Sequence, residues 1–215
     1  MDAALLAAAA PRRSALYWLL ADIALTCPDR AFVERLQTQL SAPGDENSIA
    51  LRLAQAGNAL PRLDDAPGIE QLAVEYARLF GGLRAGYGLA PPFESLQDEA
   101  AEAASVAMGV ARCYTDAGLE VTAPGVPADH LGSELRFMAL LCHREMQARQ
   151  AGDAKEAMRA LVQQRDFIET HLGRWAPQRW ALTAEAARHE FYRALAAMAL
   201  ELMLEDPALI EELAA

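Results

Sequence analysis

The chain has 215 residues, 53% of them hydrophobic and 23% charged, a balance that excludes intrinsic disorder and lets a core form without a disulfide or metal staple. Its 47 alanines against 13 glycines, with few β-branched residues, exclude an all-β fold. A net charge of −11 repels phosphate backbones and anionic lipid, so the expectations are no nucleic acid, no stable membrane insertion and a basic partner.

Helical spacing then recurs from end to end. Leu16, Leu19, Leu20 and Ile23 predict a first helix from Pro11 to Thr26, stopped by Pro28, and Phe32, Val33, Leu36 and Leu40 predict a second from Asp29 to Leu40. Residues 41–47 read as a loop. Ser48 can cap a short helix carrying Ile49, Leu53 and Leu60. After a break from Pro61 to Gly68, Ile69, Leu72, Ala73, Tyr76, Leu79 and Phe80 form an amphipathic stripe that ends at Gly81-Gly82.

Gly81 to Ser95 is a long loop with Tyr87, Leu89, Pro91, Pro92 and Phe93 in no helical period, and long loops in compact domains are more often functional than incidental. An alanine-rich helix follows from Gln97 to Ala117. Pro124, Gly125 and Pro127 make residues 119–128 a hinge. Asp129 is placed to cap a helix running to Ala151, and Asp153 to His171 is the next. Gly173 and Pro177 break the chain, a long helix runs from Thr183 to Glu205, and Asp206-Pro207 start a last short one. The expected fold is therefore all-α, a bundle of about 8–10 helices in two subdomains, residues 1–118 and 129–215, joined by that Pro/Gly hinge.

Cys27, Cys113 and Cys142 form no Cys-x-x-Cys pair and no disulfide framework, which suits a reducing compartment. Arg12-Arg13 and the apolar run after it look like the start of an export signal. Asp22 cuts the run short and Asp2 opposes a positive start, so the expectation is a cytoplasmic protein.

No histidine has a glutamate three residues before it, so no di-metal pattern is present, and His143-Arg144-Glu145 is not a zinc motif. Lys155, the single lysine, has no Gly-rich loop before it, and Cys142 reads as a core thiol. Two sites stand out, Pro91-Pro92-Phe93-Glu94-Ser95 and Pro127-Ala128-Asp129-His130. On their chemistry alone both are open to a second reading, in which Glu94-Ser95 and Asp129 merely cap helices.

The order of the motifs adds to this. Glu75-Tyr76-Ala77-Arg78-Leu79-Phe80-Gly81, Pro92-Phe93-Glu94-Ser95, Asp129-His130-Leu131 leading into Glu134-Leu135-Arg136-Phe137-Met138, and Phe167 to Trp175 with His171-Leu172 resemble the successive motifs of the TorD/DmsD family of cytoplasmic chaperones for molybdoenzyme maturation. Phe93 stands where the family often has Tyr or Trp, and residues 41–68 carry no match.

The resemblance implies binding without catalysis and without a cofactor of the protein's own. The partner would be the precursor of a molybdopterin oxidoreductase, held through its twin-arginine leader, with transient contact to molybdopterin cofactor or nucleotide. Pro92, Phe93, Glu94, Ser95, Asp129 and His130 would shape the recognition surface, supported by Tyr76, Leu79, Phe80 and Phe137. A leader that joins guanidinium groups to an apolar stretch suits carboxylates beside apolar side chains. His130 would either bond the leader backbone or tune Asp129. The alternative is an acidic helical scaffold that docks a folded partner. Both a monomer and a domain-swapped dimer fit the hinge.

Overall fold

The structure is a computed structural model that describes residues 3–40, 48–82, 86–97, 102–120 and 125–214, with side chains from residue 8 onward. Among these residues the fold is helical: α1 (Ala3–Leu25), α2 (Arg30–Leu40), α3 (Ser48–Asn58), α4 (Ala66–Phe80), α5 (Ala103–Asp116), α6 (Leu131–Gln150), α7 (Ala154–Phe167), α8 (Gly173–Ala186) and α9 (Glu190–Ala214). A 3-10 turn occupies Glu94–Leu96 and a π-helical turn Ile168–Leu172. The all-α expectation holds. The expected loop at 41–47 lies outside the described residues, as do 83–85, 98–101 and 121–124 of the segments expected as long loop, alanine-rich helix and hinge.

Several boundaries differ from the sequence reading, each for a local reason. α4 begins at Ala66 because the Asp65 carboxylate accepts the Gly68 N–H, and Pro67 falls in the first turn, where its missing N–H removes no helical bond. Pro11, Pro177 and Pro207 all lie inside helices, so neither Gly173-Pro177 nor Asp206-Pro207 interrupts the chain as expected. Each proline forgoes one i→i−4 bond, and packing of the surrounding apolar face outweighs that loss. The break falls instead at Ala187–His189, where His189 accepts the Phe191 N–H at 3.2 Å, and Thr183 lies within α8.

The chain divides into two compact units. The first comprises Met1–Leu25, Phe93–Trp175 and Glu205–Ala215, the second Thr26–Pro92 and Ala176–Leu204. The sequence placed the join at 119–128, whereas α5 and α6, which flank that segment, both belong to the first unit. Helical hairpin packing explains the interleaving, since α1 lies along α6 although far from it in sequence.

In the first unit α1 and α6 approach closely at Gly132, where a side chain would run into Leu25. Leu16, Tyr17, Leu20 and Ile23 of α1 are buried, with Leu131, Leu135, Phe137, Met138 and Leu141 of α6. Several polar groups inside this core are paired. Arg13 donates to both oxygens of Asp206 at 2.5 and 2.9 Å and to Glu145 at 3.3 Å, and the Tyr17 hydroxyl donates to Asp206 at 2.8 Å. Asp206, expected to cap a last helix, is thus the acceptor of a buried ion pair. Cys142 is fully buried beside Gln164, and burial pushes its thiol up to about 12, in line with a core role.

In the second unit Phe80 is the hub. Its ring stands 5.5 Å from Tyr76 and 6.1 Å from both Trp180 and Tyr192. Glu75 and Arg78, one turn apart on α4, form a two-point ion pair at 2.7 and 2.8 Å, and the Glu75 carboxylate also accepts the Arg188 N–H at 2.6 Å. Burial would raise Glu75, but these hydrogen bonds outweigh it and hold the carboxyl below its ordinary range.

Candidate functional site

The ten residues singled out by sequence divide between the units. Tyr76, Leu79, Phe80 and Pro92 lie in the second, and Phe93, Glu94, Ser95, Asp129, His130 and Phe137 in the first.

In the first unit Phe93 and His130 form an isolated antiparallel bridge, both with extended backbone. The Glu94 N–H donates to the Asp129 carbonyl at 2.9 Å and the Ser95 N–H to the Asp129 carboxylate at 3.2 Å. Asp129 is 2% exposed, so its carboxylate serves the preceding loop and not the helix that follows. The cap of α6 is His130, whose Nδ1 accepts the Gly132 N–H at 3.0 Å. This corrects the assignment of that cap to Asp129. The segment is pinned from below by the Tyr114 hydroxyl on the Ala128 carbonyl at 2.7 Å and the Ser133 hydroxyl on the Pro127 carbonyl at 3.0 Å. The half-buried Phe93 ring meets His130 edge-on at 5.3 Å.

Glu94 turns inward. Its carboxylate accepts His171 Nδ1 at 3.0 and 3.2 Å, with side-chain exposures of 11% and 15%. The π turn carries His171 to this place from the end of α7, against the Phe167 ring at 5.4 Å. On its other side, a side chain at Gly109 of α5 would stand 3.4 Å from His171 Cε1. Burial opposes the imidazolium, but the hydrogen bonds with Cys113 and Glu94 outweigh it and raise His171 to about 9. His171 is therefore favoured as the imidazolium at neutral pH.

A further carboxyl lies beneath. Glu134 is wholly buried and accepts the Trp175 indole N–H at 3.1 Å, while its second oxygen has no partner among the described residues. Burial, reinforced by the charge of Glu94, pushes its carboxyl well above the ordinary value and favours the protonated form. Phe137 stands 4.7 Å from Tyr114 and from Phe167, in an aromatic layer that continues to His171.

In the second unit Leu79, Phe80 and Pro92 are buried. Leu79 is fully buried, and its carbonyl accepts Arg179 at 2.5 Å. The same guanidinium donates to the Ala90 carbonyl at 2.8 Å, which ties the loop before the buried Pro92 to the end of α4. Tyr76 is half-buried, and burial pushes its hydroxyl up to about 12.

His171, Glu134 and Trp175 were not among the predicted site residues. The available signal for Glu134 was an acid three residues after Leu131, on the buried face of α6. For the other two it was the i, i+4 pair His171 and Trp175. Among the described residues no three metal-ligating side chains converge.

Comparison with known proteins completes the description. Residues 42–180 match the family model described as nitrate reductase delta subunit. Chaperone protein TorD of Vibrio cholerae serotype O1 (Classical Ogawa 395) is 27% identical over 210 residues, covering 94% of this chain and 93% of that protein. TorD of the El Tor Inaba strain N16961 is 27% identical over 227 residues at the same coverage. The class is that of TorD-like chaperones, which are not enzymes. The chain belongs to the nitrate reductase delta subunit family, and the match begins at residue 42, inside the stretch that the motif reading left unmatched.

Proposed function

We propose that this chain is a cytoplasmic chaperone that binds the twin-arginine signal peptide of a molybdopterin-dependent oxidoreductase precursor and assists cofactor insertion before export. The observation that carries this reading is the Phe93–His130 bridge. It holds an aromatic ring and two carboxylates, Glu94 and Asp129, in one frame, which is the chemistry a basic-apolar leader calls for. Ser95 and His130 shape that frame and Phe137 supports it through packing, while Tyr76, Leu79, Phe80 and Pro92 belong to the packing of the second unit. Among the described residues no helix is long and apolar enough to cross a membrane.

The test is calorimetric titration with a twin-arginine leader peptide and its Lys-Lys variant. Tighter binding of the arginine form, weakened at least several-fold by Glu94→Gln with Asp129→Asn, supports the reading. Equal or absent binding of both peptides, or normal binding by the double variant, overturns it. A circular-dichroism melt of the variant checks that the fold survives.

A second reading, an acidic helical module that docks a folded partner, is favoured by one observation. Both carboxylates are already engaged within the first unit, Glu94 by His171 and Asp129 by the Ser95 N–H. Recovery of a partner in a pull-down after deletion of its leader would select this reading.

A further inference from the structure

Two helical irregularities face each other in the first unit. The π turn at Ile168–Leu172 widens the helix by one residue. It is followed by Gly173, at which a side chain would stand 2.6 Å from the Ile168 carbonyl. Opposite, α9 gives up one helical bond at Pro207. Between them lies a hollow of about 220 Å³ lined by Ile168, Pro207, Ala208 and Ile210, with Arg165, Glu169 and Glu211 at its rim.

Size and charge narrow the occupant. Small-molecule sites run from about 300 to 1,000 Å³, so this hollow suits one or two side chains better than a whole cofactor. Its floor is apolar. Of the rim charges, Arg165 is already bound to Asp166 at 3.2 Å, whereas the exposed Glu169 and Glu211 make no hydrogen bond or ion pair among the described residues. A second copy of this chain would bring a net charge of −11 to an acidic rim, which electrostatics disfavours.

We propose that this hollow is a docking point for a short basic-apolar segment of the client polypeptide, an apolar side chain entering between Ile168 and Ala208 while an adjacent Lys or Arg meets Glu169 and Glu211. It rests on the chaperone class, not on Glu94 and Asp129 contacting a leader. The π turn serves both places, sending His171 to Glu94 and Ile168-Glu169 to the hollow.

The test is a nitrogen-proton correlation spectrum of the full chain, titrated with an amidated hexapeptide carrying Leu-Phe flanked by arginines. An otherwise identical peptide with glutamates in place of the arginines serves as the comparison. The expected result is shifts clustered at residues 165–169 and 207–211 with the basic peptide alone. Glu169→Gln with Glu211→Gln, conservative changes at exposed positions, should weaken binding about three- to tenfold. Ala208→Trp, which fills the hollow, should abolish it. Equal binding of the acidic peptide, or no shifts, overturns the proposal. So do shifts that appear on raising protein concentration alone, which would make the face a self-interface. Shifts confined to residues 93–95 and 129–130 also overturn it, while supporting the leader site.

Discussion

His171 donates from Nδ1 to both carboxylate oxygens of Glu94, at 3.2 and 3.0 Å, and joins residues 77 positions apart in sequence. The carboxylate that the motif suggests for a guanidinium thus already has a cation beside it. If the proposed leader site is correct, a leader arginine would have to share Glu94 with His171 or displace it.

The same pair sets a pH dependence. The folded value of about 9 lies above the ordinary 6.5, so the stabilisation is fully present below 6.5 and is lost as pH rises through about 9. Stability measured by urea denaturation should fall by about 2–3 kcal/mol across that interval. His171→Gln should be less stable at neutral pH and lack most of this slope. A wild-type profile that is flat from neutral to alkaline pH would refute the ionic assignment.

Glu134 adds a slope of the same sign. Its folded value is raised above the ordinary 4.5, so stability declines as pH rises above that ordinary value, because the unfolded chain ionises more readily than the buried acid. Glu134→Gln keeps the shape without the titrating proton. It should equal wild type at acid pH and exceed it at neutral pH, read from denaturation midpoints.

Arg13 sits 2% exposed between Asp206 and Glu145. Replacing it with Gln leaves two buried carboxylates without their shared cation and should cost about 3–5 kcal/mol. Arg13→Met with Asp206→Leu should cost less than the sum of the two single changes, and an additive cycle would show that the pair is not coupled.

Gly132 tests the α1–α6 approach. Alanine is ordinarily preferred to glycine in a helix, by up to about 1 kcal/mol in its interior and less in the first turn, where Gly132 lies. Here the new methyl overlaps Leu25, so Gly132→Ala should instead destabilise by about 1–3 kcal/mol in thermal or urea melts.

Much of the candidate site was legible in sequence because its motifs are local. Glu94 and Ser95 do meet Asp129, and Phe93 does lie against His130. What periodicity and capping rules missed was each polar group's partner. Asp129 looked like a helix cap, yet His130 took that task with a ring nitrogen, an acceptor that capping statistics rank low. Asp206 before Pro207 looked like a start signal for the same reason, although an arginine 193 residues away claims it.

Alanine-rich composition and helical spacing by themselves determined an all-α chain, because those properties depend on neighbours within a turn or two, and the order of the motifs carried the resemblance to the TorD-like class. Only the tertiary structure decided which prolines are tolerated, where the compact units divide, and that Glu94 is held by His171. Those outcomes depend on long-range packing, where a buried apolar face outweighs one lost helical bond and a desolvated carboxylate takes the nearest cation the fold brings to it.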